Sequence, residues 1–227
     1  MRGAARVREG AAGLSARVTI ALCLAALAFA GCRRPAPEPS AELRGAWLRE
    51  PELRQGFELR EGGGLALLGW GDRSGLAWSA SHGELVLSTN DERNVESHVA
   101  RLRVAALEPG MLELEGKDEP FAGVYRPAKV SHVRGVVTYR ERLALGPDAR
   151  VVIALTRPGG AAVALQTFLP RAQVPIGFDL SVPAGSPGEL ELHARLADRE
   201  LTLFATQEPV RVTPGGEPLQ ILLRSAR

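Results

Sequence analysis

The sequence predicts an all-β chain made of two modules behind a short tether, and three observations carry that prediction. After residue 42 no segment sustains a helical stripe of apolar residues. Short runs alternating between apolar and polar residues recur to the C-terminus, separated by Gly, Pro, Asn and Asp. The composition, 45% hydrophobic and 24% charged over 227 residues, is that of globular material with apolar content for one or two cores.

The N-terminal element reads as an address. Arg2, Arg6, Arg8 and Arg17 precede an apolar run over 18–30. That run is shorter than the about 20 residues a membrane-spanning helix needs and has the length of a signal-peptide core. It ends in Phe29-Ala30-Gly31-Cys32, which resembles a lipobox, with Phe29 standing where Leu is usual. The resemblance implies cleavage between Gly31 and Cys32, diacylation of the Cys32 sulfur, and an anchor in the membrane through covalent lipid such as palmitate. An ordinary secretory leader with an incidental cysteine is the alternative. Arg33 stands where an Asp would signal inner-membrane retention in enteric bacteria, so the expected location is the outer membrane, facing the periplasm.

The two cysteines, Cys23 and Cys32, both fall in this leader region. That excludes a disulfide scaffold and a cysteine-based zinc site in the folded part. Residues 1–31 hold four Arg and one Glu, so their removal turns the chain's formal charge from +2 to −1. A near-neutral mature chain offers no electrostatic case for nucleic acid. Residues 33–42 contain Pro35, Pro37 and Pro39 and no apolar periodicity. They read, behind Cys32, as a semi-extended tether of about 30 Å at full reach.

The first module spans 43–127, with strands expected at 45–48, 56–60, 65–70, 76–80, 84–88, 98–107, 111–115 and 121–126. Turns fall at Gly62-Gly63-Gly64, Gly71-Asp72, Ser81-His82-Gly83 and Glu108-Pro109-Gly110. One hairpin has a predicted register: Val104 opposite Leu114, Ala106 opposite Leu112, and Arg103 opposite Glu115 on the other face. Gly45-Ala46-Trp47 at the first strand and Val124-Tyr125-Arg126 at the last resemble a small lipocalin-like (calycin-type) barrel. That resemblance implies closure of the barrel by Arg126 lying across Trp47, with Gly45 opening the strand. A plain antiparallel barrel or sandwich is the other reading. Trp47, Trp70 and Trp78 need interior space, which favours a filled core over a ligand cavity.

The second module spans 130–227, with strands expected at 132–142, 151–156, 162–168, 177–182, 190–197, 201–206, 210–213 and 219–223. Leu190, Leu192, Ala194 and Leu196 alternate with polar residues, and Leu201, Leu203 and Ala205 are expected on the matching face across a turn at Asp198-Arg199. The run from Gly135 to Leu145, then Pro147-Asp148-Ala149, Pro175-Ile176-Gly177-Phe178-Asp179-Leu180, Leu192-His193-Ala194-Arg195 and Ile221-Leu222-Leu223 resemble the YbaY/YscW family of bacterial lipoproteins. The resemblance implies a β-sandwich. The resemblance implies that, as in a subset of that family, the chain could be a pilotin carrying secretin subunits of type III secretion systems to the outer membrane; Arg199 stands where the family usually has Gly.

Little in the sequence points to catalysis. His82, His98, His132 and His193 lack metal-ligand spacing and read as solvated. Glu113, Glu115, Asp118 and Glu119 form an acidic cluster beside Lys117, which suits a soluble strand end better than paired hydrolytic carboxylates. Gly71-Asp72-Arg73-Ser74-Gly75 lacks the spacing and strand-to-helix setting of a nucleophile elbow. The expectation is a non-catalytic envelope binding or assembly factor with no metal and no cofactor, held by lipid at Cys32, with a protein client such as a secretin subunit. The competing expectations are a carrier or sensor of small apolar ligands through the first module, or a pilotin-type chaperone of a secretin.

Overall fold

The computed structural model describes residues 41–91, 97–117, 119–141, 145–170, 174–186 and 188–226. Alternation in the first module becomes one antiparallel meander: β1 (Gly45–Arg49), β2 (Gly56–Leu59), β3 (Leu65–Leu68), β4 (Arg73–Ser81), β5 (Glu84–Asp91), β6 (His98–Glu108), β7 (Met111–Glu115) and β8 (Gly123–Ala128). The strand order is β3-β2-β1-β8-β7-β6-β5-β4. Its two ends, β3 and β4, approach through a Gly64–Ala77 bridge, so the barrel is nearly closed.

The barrel interior is occupied by the module's own side chains. Phe57 lies 4.8 Å from Tyr125 and Trp70 lies 4.8 Å from Phe121, measured between ring centroids. Leu59, Leu85, Leu87, Leu102, Leu112 and Leu114 are fully buried around them. Each indole finds a carbonyl for its N–H: Trp47 donates to Leu43, Trp70 to Gly56 and Trp78 to Arg60, at 2.9, 3.1 and 2.9 Å. Tyr125 donates its hydroxyl to the Phe121 carbonyl at 2.7 Å. Burial pushes the Tyr125 phenol pKa well above its ordinary value, against the opposing charge of Arg49.

The predicted β6–β7 register holds at Arg103–Glu115 and Val104–Leu114 and then slips. Ala106 faces Glu113, and Leu107 faces Leu112, because a bulge falls between Val104 and Ala106. The extra residue lets both Val104 and Leu107 pack against the core, which strict alternation would forbid. His82 and Gly83 both take left-handed conformations, φ 52° and 78°, as the two-residue hairpin turn between β4 and β5 requires.

The second module forms β9 (Val130–Thr138), β10 (Ala149–Thr156), β11 (Ala162–Phe168), β12 (Ile176–Pro183), β13 (Leu190–Asp198), β14 (Leu201–Ala205), β15 (Val210–Val212), β16 (Leu219–Leu222) and β17 (Arg224–Ser225). One sheet runs β11-β10-β13-β14-β17, with β15 also on β13; the other runs β12-β9-β16, with β16 parallel to β9. Between them lies one core that includes Val137, Ile153, Leu155, Val182, Leu192 and Leu196. The first strand ends at Thr138, short of the predicted 142, and the two-residue β17 was not expected.

The β13–β14 hairpin corrects a predicted face. A bulge between Leu196 and Ala197 puts Phe204, not Leu203 or Ala205, opposite Leu196. Phe204 enters the core and stacks on Tyr139 at 4.9 Å, while Leu201 is left 66% exposed. Arg199 adopts the left-handed turn itself, at φ 52°, and its Nε donates to Asp148 at 2.9 Å.

Residues Glu38–Arg227 form one compact unit, so the two modules are joined. The joint is the open side of the barrel: β3 and β4 lie against β11 and β12. The Gly69 N–H donates to the Val163 carbonyl at 3.0 Å, and the Thr167 N–H to Ser74 Oγ at 2.9 Å. Ala46, Leu48 and Leu68, on the outer face of the barrel, are buried beside Ala128 and Val130. Closing the seam with the neighbouring module removes the edge strands that an incomplete barrel would expose.

Candidate functional site

Cys32 and the preceding Phe29, Ala30 and Gly31 lie outside the described residues, as do Asp118 and the tether up to residue 40. Gly45 opens β1 at φ 121° with free space where a side chain would stand. Trp47 is buried inside the barrel. The structure does not bring Arg126 to it. Arg126 pairs across the sheet with Leu48, so it stands on the outer face, where Nε donates to Glu50 at 2.8 Å and Nη1 to the Gly110 carbonyl at 3.3 Å. Cross-strand partners share a face, and Trp47 occupies the opposite one. The guanidiniums that lie over an indole are Arg49 and Arg73, 5.7 and 5.8 Å from the Trp70 ring.

The polar cluster that the sequence did not reveal sits at the seam. Glu58 and Arg60 project outward from the β2 segment, because Phe57 and Leu59 take the inward positions. Asp179 and Ser181 on β12 stand beside Arg134 and His132 on β9, to which the sheet register pairs them. Arg60 Nη2 donates to Ser181 Oγ at 2.6 Å and to Asp179 Oδ1 at 3.3 Å, while its Nε donates to Glu58 Oε2 at 2.8 Å. His132 Nδ1 is 2.8 Å from Asp179 Oδ1, and Arg134 Nε donates to Asp179 Oδ2 at 3.1 Å. Burial alone would raise the Asp179 pKa. The His132 hydrogen bond, the charges of Arg60 and His132, and the Arg134 hydrogen bond outweigh it and hold the carboxyl below its ordinary value.

Ser181, His132 and Asp179 have the composition of a hydrolytic triad without its geometry. Ser181 Oγ accepts from Arg60 and donates to Glu58 at 2.5 Å, and His132 Nε2 faces Glu58 Oε1 at 3.7 Å. A nucleophile must bond to its base, and this serine bonds to a carboxylate instead. Two carboxylates and two guanidiniums balance in charge, so the arrangement works as a clamp between modules. His132, expected to be solvated, is half-buried in it.

Beside the clamp, a groove of about 650 Å³ crosses the outer face of the β12-β9-β16 sheet. Val136 and Gly177 are neighbours on its floor; a side chain at Gly177 would meet nothing within 4 Å, so the groove is open there. Pro218 and Gln220 line one wall, and Arg134 with Asp179 also border it. β16 is the terminal strand of this sheet among the described residues, with β9 on its inner side. A free strand edge beside an open groove can accept a further strand and one or two of its side chains.

With a sandwich, a free edge and a groove defined within the C-terminal module, comparison with known proteins shows what it is similar to. Residues 128–223 match the family described as type III secretion system lipoprotein chaperone (YscW). The YscW match begins at the end of β8 and covers the sheets of the second module up to the end of β16; the barrel lies outside it. Among solved structures, an alternative pilotin from the type II secretion system of Vibrio cholerae is 23% identical, over 44% of this chain and 99% of that one, with a TM-score of 0.39. Comparison with curated proteins returns no match.

Proposed function

We propose that this protein is a lipid-anchored envelope chaperone of pilotin type, whose YscW module holds a secretin-type client while Cys32 fixes the chain to the outer membrane. The match of residues 128–223 to the YscW family carries this reading. Two or three acyl chains at Cys32, each buried CH₂ contributing about 0.8 kcal/mol, make anchoring effectively permanent where a single chain would not. The client adds a strand to the free edge of β16, main-chain hydrogen bonds giving affinity and the groove over Gly177 giving side-chain selectivity. The barrel, which we read as lipocalin-like from its Gly45-Ala46-Trp47 opening and meander order, acts as a non-catalytic support docked on the chaperone module.

The test follows the client in the producing bacterium. Wild-type protein incorporates labelled palmitate and delivers the secretin-type client to the outer-membrane fraction. Cys32→Ser loses the label, and client and chaperone are then recovered together away from that fraction. Normal client delivery by the unlabelled variant, or a wild-type protein that takes up no label, overturns the proposal.

A further inference from the structure

A second cleft, of about 530 Å³, opens where the barrel meets the YscW module. Its apolar walls include Leu48 and Leu53 from the barrel and Val163 and Leu190 from the second module, and Arg54 and Arg157 stand beside them. Among the described residues, no Asp or Glu lines it. Both arginines are exposed, and neither side chain has a hydrogen-bond or ion-pair partner among the described residues. Leu53 is held at φ 52°, a conformation that costs a bulky residue free energy, and is nonetheless 46% exposed. Its N–H closes a turn on the Arg49 carbonyl at 2.9 Å, and that turn presents the apolar side chain beside two unpaired cations.

We infer that this seam cleft is a second client contact, which receives a polypeptide segment carrying a carboxylate next to an apolar side chain. The inference rests on the chaperone reading and adds to it the chemistry of the segment recognised. Charge complementarity decides the class: two unpaired guanidiniums with no acid among the described lining residues attract carboxylates, and the leucines bury what adjoins them. Both modules supply one arginine, so the site exists only because the barrel is docked. That assigns the barrel a role in recognition which residues 128–223 alone would not have.

The experiment uses the protein purified from its own membranes in detergent, with a labelled peptide that has a Leu-Glu-Leu-Asp centre between Gly-Ser flanks. Fluorescence anisotropy should show binding that weakens with salt and falls about tenfold for the Gln/Asn counterpart peptide. The double variant Arg54→Gln/Arg157→Gln, whose exposed positions leave folding intact by circular dichroism, should lose about tenfold for the acidic peptide. Equal binding by the variant, no binding of the acidic peptide, or arginine-dependent binding to phosphatidylglycerol vesicles in place of the peptide overturns the inference. Undiminished client delivery by the double variant removes the seam contact and leaves the chaperone reading standing. Intact peptide binding in a protein that delivers no client does the opposite.

Discussion

Gly69 tests how tightly the barrel's own backbone is packed where it borders the seam. It sits at φ 73°, with its N–H bonded to Val163 across the seam. A β-carbon there would stand 2.0 Å from the Arg54 carbonyl oxygen and 3.0 Å from its carbon, both backbone atoms that cannot swing aside. Gly83 has nearly the same backbone, φ 78°, with nothing within 4 Å of the added atom. Gly83→Ala therefore carries only the left-handed penalty, about 1 kcal/mol. Gly69→Ala adds the displacement of the 54–55 segment and the loosened Val163 bond, for a total of about 3 kcal/mol or more. For a unit of this size each kcal/mol lowers Tm by about 2–4 °C, so the expected shifts are about 2–4 °C for Gly83→Ala and about 6–12 °C for Gly69→Ala. Tryptophan fluorescence during thermal unfolding reads both, since Trp70 adjoins Gly69. Equal shifts for the two alanines would refute the crowding argument.

Three further outcomes follow from the geometry. Asp179 has a folded-state pKa below its unfolded value, so its stabilising contribution is present above the unfolded value of about 3.9 and is lost as pH falls through the folded value. Urea midpoints measured from neutral to acid pH should decline less steeply through that window for Asp179→Asn, and an unchanged slope would exclude the clamp. Tyr125→Phe leaves the buried Phe121 carbonyl without its donor and should cost about 1–2 kcal/mol in chemical denaturation; a neutral result would contradict that buried hydrogen bond. Arg126→Ala removes an exposed ion pair on the outer face and should change stability by no more than about 1 kcal/mol, whereas loss of barrel integrity in that variant would restore the closure role that the sequence suggested.

Much of the fold was legible because strand formation is a local property. The run from Met111 to Glu115 and that from Ala162 to Phe168 begin and end where alternation and turn residues place them. Two bulges that re-pair apolar residues were not legible: at Val104–Ala106 and Leu196–Ala197 an extra residue moves the apolar set to new partners, and alternation carries no mark of it. The clamp was hidden for another reason. Glu58, Arg60, His132, Asp179 and Ser181 occupy outward strand positions, where polar residues ordinarily meet water, and their spacing of up to 123 residues shows no motif. Arg126 failed as a closing residue because its strand phase points it away from Trp47, a consequence of the β1–β8 register that spacing along the chain does not reveal.

The chain by itself determined that residues 43 onward would be built of sheet and where most strands lie, because periodicity and turn chemistry act over a few residues at a time, and its C-terminal motifs carried the resemblance to the YbaY/YscW family. Only the tertiary structure decided that the barrel stops short of full closure and completes itself against β11 and β12. That docking buries outward-facing Leu48 and Leu68, turns scattered charges into the Asp179 clamp, and sets Arg54 and Arg157 around one cleft. Surfaces that each module would present to water separately acquire their meaning when the two are packed together, and no local pattern specifies which face another module will cover.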